Sequence, residues 1–444
     1  MIPSAGAPLT EAQGQGNSTL SRINHVIVVY QENRGFESLY GWFPGANGLA
    51  NADNAVPQFD KDGQPYATLP QPINSNLGAG VPDPRFPSDL PVAPFDISQY
   101  VAPDDRTGDM VHRFYQEQLQ IDGGQMDRWV AWTDAGGLVM GYYDGTNMPE
   151  GQLAQQYTLA DNFFHGAFGG SFLNHFFLVC ACAPQWPDAP ASIVAQLGPD
   201  GSLIKDGQVT PDGYAVNTSY TINTPHPATV TDPAMLVPEQ SMPTIGDRLN
   251  DAGVSWAWYS GGWNDAVAGN PDPLFQYHHQ VFAFFANYAD GTPGREAHLK
   301  DETDFFDALG RGTLPAVSFV KPLGADNEHP GYASLAQGQQ HVVDIVDAVQ
   351  ASPYWNDTLI VVTYDENGGS WDHVAPPVVD RWGPGSRVPT LVIGPFARRG
   401  FIDHTLYDTA SILKTIEERW NLPPLGTRDA NAADLTNALT SSGS

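Results

Sequence analysis

Thr358-Leu-Ile-Val-Val-Thr-Tyr-Asp365-Glu366-Asn367-Gly-Gly369 and Ile23-Asn-His-Val-Ile-Val-Val-Tyr-Gln-Glu32-Asn33 repeat one pattern. Each is a β-branched apolar run that stops abruptly in acidic and amide side chains. Neither run alternates polar with apolar residues, which is the habit of parallel strands buried on both faces. In an open α/β sheet, ligands bind just beyond the carboxyl ends of the strands. If the two runs are neighbours, Glu32, Asn33, Asp365 and Glu366 converge at one edge. Three carboxylates held together repel one another unless a cation neutralises them. All-oxygen ligation favours one hard divalent ion, Mg²⁺, Ca²⁺ or Mn²⁺, over zinc. A single strand end of this kind is more often an exposed polar turn; two matching ends argue for a site.

Further short strands are expected at 254–259, 316–320 and 388–393. Helices are expected from about 109, at 149–157, at 244–252, around Val342, Ile345, Val346 and Val349, and at 407–420. Strands alternating with helices indicate an α/β fold with a mostly parallel central sheet flanked by helices. Residues 1–22 read as a loose N-terminal arm, 23–437 as one domain with a Pro- and Gly-rich, cap-like insertion over about 184–310, and 438–444 as a tail.

A second feature is Phe168-Gly-Gly-Ser171-Phe-Leu-Asn174-His175. Two glycines permit a tight turn and place Ser171 at a helix start, where free N–H groups and the helix dipole favour a phosphate. A serine there can attack phosphorus once a metal lowers its proton affinity. Alone, Gly-Gly-Ser is an ordinary helix-capping sequence. Histidines are the third feature. His112 falls on the helix expected from about 109, His278 and His279 in an aromatic segment, and His329 in a loop after a strand. Imidazoles can hold phosphate oxygens or protonate a leaving alkoxide. Singly, each is more often a structural histidine. His373 stays undecided, and Cys180 and Cys182 are read first as two small buried side chains, because a bridge across one residue is strained, with a labile disulfide as the alternative.

With 50 Asp+Glu against 20 Lys+Arg and a net charge of −30, the chain lacks the basic footprint that nucleic acid binding requires. An anionic substrate must be met by local positive charge instead. There is no run of about 18 apolar residues to span a membrane. Ile2-Pro-Ser-Ala-Gly-Ala-Pro-Leu9 reads as the polar start of a mature chain, so a secreted or periplasmic location is expected. Phosphate-binding Gly-x-x-x-x-Gly-Lys-Ser/Thr, His-Glu-x-x-His and Gly-x-Ser-x-Gly patterns are absent from the sequence, which removes support for nucleotide-driven, zincin and ordinary serine-hydrolase chemistry.

The motifs Glu32-Asn33-Arg34-x-Phe36, Met126-Asp127, Gly169-Gly170-Ser171-Phe172-x-Asn174, Glu328-His329-Pro330, Tyr364 to Gly369 with Asp372-His373-Val374, and Arg387-Val388-Pro389 occur in that order. In this the chain resembles the bacterial acid phosphatase/phospholipase C phosphoesterase family of the alkaline phosphatase superfamily. It resembles the acid phosphatase branch more, since Ser171 stands where the phospholipases carry threonine. The resemblance implies an alkaline-phosphatase-like fold with cap insertions over the carboxyl edge. It implies Ser171 as nucleophile, one metal on Glu32, Asn33, Asp365 and Glu366, and phosphate contacts from His112, His329 and one of His278 and His279. Asn174 is expected to help bind substrate, and His329 to assist the leaving group. The expected function is hydrolysis of a small phosphomonoester through a phosphoseryl intermediate. The alternatives are phospholipase C-like diester cleavage and a non-catalytic exported binding protein. The sequence leaves the oligomeric state open.

Overall fold

The computed structural model describes residues 19–52 and 57–440. Most of the arm expected over 1–22, to residue 18, and the last four residues of the tail lie outside this range. An eight-stranded sheet forms the centre of the molecule. Its strands are β1 (His25–Gln31), β2 (Thr158–Ala160), β3 (Trp256–Ser260), β4 (Leu299–Asp301), β5 (Val317–Lys321), β6 (Thr358–Tyr364), β7 (Thr390–Ile393) and β8 (Phe401–Asp403). Their order across the sheet is β8-β2-β7-β6-β1-β5-β3-β4. β1 pairs in parallel with β5 and β6, β5 with β3, β3 with β4, and β8 with β2. Only β7 runs against its neighbours. The mostly parallel sheet expected from the apolar runs is therefore present.

The two matched runs lie side by side in the middle. Val26 to Val29 and Leu359 to Val362 are fully buried, as strands covered on both faces must be. Their register pairs Tyr30 with Thr363 and Gln31 with Tyr364. That register sets Glu32 beside Asp365, and the Asp365 amide donates to the Gln31 carbonyl at 3.0 Å. A slip of one residue would turn every side chain to the other face, so the core packing of the valines also fixes the acidic edge.

Six helices position the site: α1 (Phe36–Tyr40), α2 (Phe114–Ile121), α3 (Pro149–Gln156), α4 (Ser171–Cys180), α5 (Leu335–Gln350) and α6 (Thr409–Trp420). α5 buries Val342, Ile345, Val346 and Val349, the i, i+3, i+4, i+7 stripe of its sequence, and packs against α3. α6 packs against α4 and starts on Asp408, whose carboxylate accepts the Ala410 amide.

Two expectations are corrected. The helix expected from about 109 begins at Phe114, so His112 precedes it in extended chain; the Phe114 amide is taken by the Asn217 side chain at 3.0 Å. Cys180 and Cys182 form a disulfide. Ala181 between them takes a left-handed conformation (φ 49°) that ends α4 and turns the two thiols toward each other. The stretch read as a cap-like insertion over 184–310 includes β3, at the strand expected over 254–259, and β4, both part of the main sheet.

Candidate active site

Three chain segments meet at the carboxyl edge beyond β1 and β6. Ser171 opens α4 on Gly170, which caps the helix without a side chain. Gly169 lies at φ 89°, and a Cβ there would come within 2.4 Å of the Phe114 nitrogen; one on Gly170 would come within 2.7 Å of the His112 carbonyl. The glycines thus let the extended chain carrying His112 lie directly on the Ser171 turn. The buried carboxylate of Glu117 accepts the Gly169 amide at 2.6 Å, the Ser386 amide at 3.0 Å and His165 Nε2 at 2.9 Å. Asn174 lies inside this turn rather than on the cleft. Its amide oxygen accepts from the Ala167 amide at 2.9 Å, and its NH₂ donates to the Ala167 and Gly170 carbonyls.

Ser171 Oγ lies 3.3 Å from Glu32 Oε2, 3.1 Å from Asn33 Oδ1 and 3.4 Å from Glu366 Oε1. One hydroxyl proton can satisfy only one of these three acceptors. Asp365 Oδ1 accepts the amides of Asn33 and Glu366, which leaves its Oδ2 buried without a hydrogen bond. Burial, with Glu32 adding repulsion, pushes the Asp365 carboxyl well above its ordinary range; burial and Asp365 do the same to Glu366. Burial works on Glu32 in the same direction, but His279 and Lys321 outweigh it and hold this carboxyl well below the usual range. A cluster of oxygens with too few protons and an orphaned carboxylate oxygen fits a hard divalent cation. Asn33 (φ 57°) sits at the edge in a left-handed conformation, which for a non-glycine residue costs about 1 kcal/mol or more.

The histidines divide into two groups. His112 and His329 meet edge to face in the wall of a cleft of about 310 Å³, with ring centres 5.6 Å apart, and His278 joins them there. His112 Nε2 is 3.2 Å from the Asn33 amide nitrogen and 3.6 Å from Glu366 Oε1. Burial pushes His329 and His278 below the ordinary imidazole range. His279 turns away from the cleft: its Nε2 is 2.8 Å from Glu32 Oε1, and burial lowers its pKa to about 4. It stacks on His175 at 5.1 Å, and ligand atoms of Glu32, His175 and His279 all lie within 4.8 Å of one another.

Sequence reasoning passed over Lys321, His175 and Glu117. Lys321, wholly buried at the end of β5, contacts Glu32 Oε1. Its signal was available, since Val317-Ser-Phe-Val-Lys321 is a third apolar run ending in charge. His175 Nδ1 is 2.7 Å from the Ser171 carbonyl. His373, left undecided, pairs with Glu37 beside Arg387 and Asp372.

The sequence matches the Phosphoesterase family over residues 23–423, and the chain belongs to that family. Phospholipase C A of Mycobacterium tuberculosis is 28% identical over 480 residues, 98% of this chain and 81% of the relative. Non-hemolytic phospholipase C of Pseudomonas aeruginosa is 25% identical over 484 residues, 99% of this chain and 60% of the relative. The family and the relatives of the chain make it a phosphoric ester hydrolase. A solved protein of the alkaline phosphatase superfamily from Vibrio parahaemolyticus is similar over 68% of this chain and 66% of its own, with 13% identity and a TM-score of 0.37. No helix among the described residues is long and apolar enough to cross a membrane.

Proposed function

We propose that the enzyme is an acid-phosphatase-type hydrolase that cleaves phosphomonoesters through a phosphoseryl intermediate on Ser171. The observation that carries this reading is the Ser171 hydroxyl at the start of α4, within 3.4 Å of Glu32, Asn33 and Glu366 oxygens. Glu32, Asn33, Asp365 and Glu366 would hold one divalent cation, Mg²⁺, Ca²⁺ or Mn²⁺, which when bound polarises the serine and phosphoryl oxygens. Ser171 Oγ attacks phosphorus and its proton passes to Glu366, whose carboxyl is pushed upward by burial. The first amides of α4, which the helix does not use, face the phosphoryl oxygens. An anionic phosphoryl group beside His329 favours its protonated form, so it can donate to the leaving oxygen; the neutral ring then accepts a proton from the water that splits the phosphoserine. His112 and His278 hold the phosphoryl oxygens. Asn174 serves as a positioning residue for the Ser171 turn.

The names of the relatives favour a second reading, phospholipase C-like cleavage of a phosphodiester on the same groups. Comparing turnover of p-nitrophenyl phosphate with that of p-nitrophenylphosphorylcholine decides between them. A preference for the monoester supports the phosphatase; a preference for the diester replaces it with the phospholipase.

A further inference from the structure

Beneath the acidic edge lies a second group of carboxyls with no part in the chemistry above. Glu150 on α3 and Glu328 in the loop after β5 are both wholly buried. The Tyr364 hydroxyl stands between them, 3.0 Å from Glu150 Oε2 and 2.8 Å from Glu328 Oε2. Tyr40 donates to Glu150 Oε1 at 2.9 Å, and Gln31 donates to Glu328 Oε1 at 3.2 Å. A phenol has one proton and can donate to one of its two neighbours. The other contact is a hydrogen bond only if that carboxyl carries a proton of its own and donates back to the Tyr364 oxygen. With one proton on the pair, all the carboxyl oxygens of Glu150 and Glu328 are satisfied. With none, two buried carboxylates press on a single hydroxyl.

The surrounding charges do not remove the need for that proton. From α1 the pair faces Tyr40, from β6 Tyr364, from β1 Gln31, and from α5 Gln339, whose side-chain oxygen takes the Glu150 amide. The nearby cation, Arg34, spends its N–H groups on the Glu328 carbonyl, at 3.1 and 2.7 Å, rather than on a carboxylate. Burial pushes Glu150 up to about 7 and Glu328 well above its ordinary range.

The group also reaches the cleft by geometry. Gln31 precedes Glu32, Tyr364 precedes Asp365, and Glu328 precedes His329, so alternate side chains point down into the network and up into the site. Glu328 is held at φ 73°, and only a glycine at 338 leaves room for it, since a Cβ there would lie 2.3 Å from Glu328 Cγ. We propose that Glu150 and Glu328 share one proton through Tyr364 and act as positioning residues that set His329 in the cleft. The catalytic half of this inference rests on the phosphatase reading.

The test compares wild type with Glu150→Gln, whose amide can donate to Tyr364 and accept from Tyr40 at any pH. Wild type should be most stable in acid and lose stability as pH rises through neutrality, because the folded state holds a proton that the unfolded chain has released. Its melting temperature should fall by several degrees between about pH 5.5 and about pH 8.5, and that of Glu150→Gln by less over the same range. With Mg²⁺, Mn²⁺ or Ca²⁺ in excess, kcat on p-nitrophenyl phosphate should stay within about threefold at acidic pH, while its alkaline decline moves up by about one pH unit. Equal melting shifts in the two proteins overturn the shared proton. Different melting shifts with an unmoved kcat profile overturn the positioning role alone. Absence of turnover in wild type overturns the phosphatase reading, and the melting comparison still judges the proton. If Glu150→Gln does not fold, Glu328→Gln is read by the same measurements; if neither neutral isostere folds, the pair does not depend on a proton and the inference fails.

Discussion

The two sides of Ser171 are built differently. On one side Glu32, Asn33, Asp365 and Glu366 are almost sealed from solvent and pinned by backbone amides and by Lys321. On the other, His112, His329 and His278 line an open cleft. Oxygen atoms crowded without enough protons call for positive charge; imidazoles lining a cleft can take a proton and hold an anion. The serine stands where a cation and a phosphoryl group would meet. The adjacent residues His278 and His279 fall on opposite sides of this divide, so one step along the chain separates the cleft wall from support of the acidic edge.

Removing the hydroxyl should break the arrangement most completely. Ser171→Ala is expected to lower kcat by about 10³-fold or more while leaving the fold intact; wild-type turnover in a folded variant would remove Ser171 from the scheme. Next comes the acidic side. Asp365→Asn should lower kcat by about 10²-fold, and the rise in melting temperature that wild type shows on adding Mg²⁺, Mn²⁺ or Ca²⁺ should shrink. An undiminished rise would move the cation elsewhere. The adjacent histidines offer a finer cut: His278→Ala should raise KM about tenfold with the metal-induced melting shift unchanged, and His279→Ala should weaken that shift through Glu32. If both variants behave alike, the two sides are not separate. Reducing Cys180–Cys182 should change least, with melting within about 2 °C and turnover within about twofold, because a bridge closing so short a loop restrains the unfolded chain little. Titration in reductant against a melting scan checks this.

Much of the acidic edge was legible because β1 and β6 are central, parallel and buried on both faces, so their apolar runs carry no competing pattern. The turn at Ser171 was legible through its two glycines. His112 was misplaced on a helix because Val111, Phe114 and Tyr115 mimic helical spacing; the contact of Gly169 with Phe114, made far along the chain, keeps that stretch extended. Glu150 gave no periodic signal, since a single buried polar residue acquires its meaning only from partners such as Tyr364; Lys321 was legible as a third apolar run ending in charge and was passed over. The thiol pair was misread because only the left-handed turn at Ala181 brings the sulfurs together.

The contact between Asn33 and Asp365 spans 332 positions of sequence, with Ser171 and His329 falling between. No early portion of the chain holds a working fragment of the site. On the proposed mechanism a chain still emerging or partly opened would be chemically silent, and hydrolysis would begin only when β6 has docked beside β1. Turnover therefore reports completed folding, and a cell making this enzyme is spared its action on phosphate esters until the last central strand is in place.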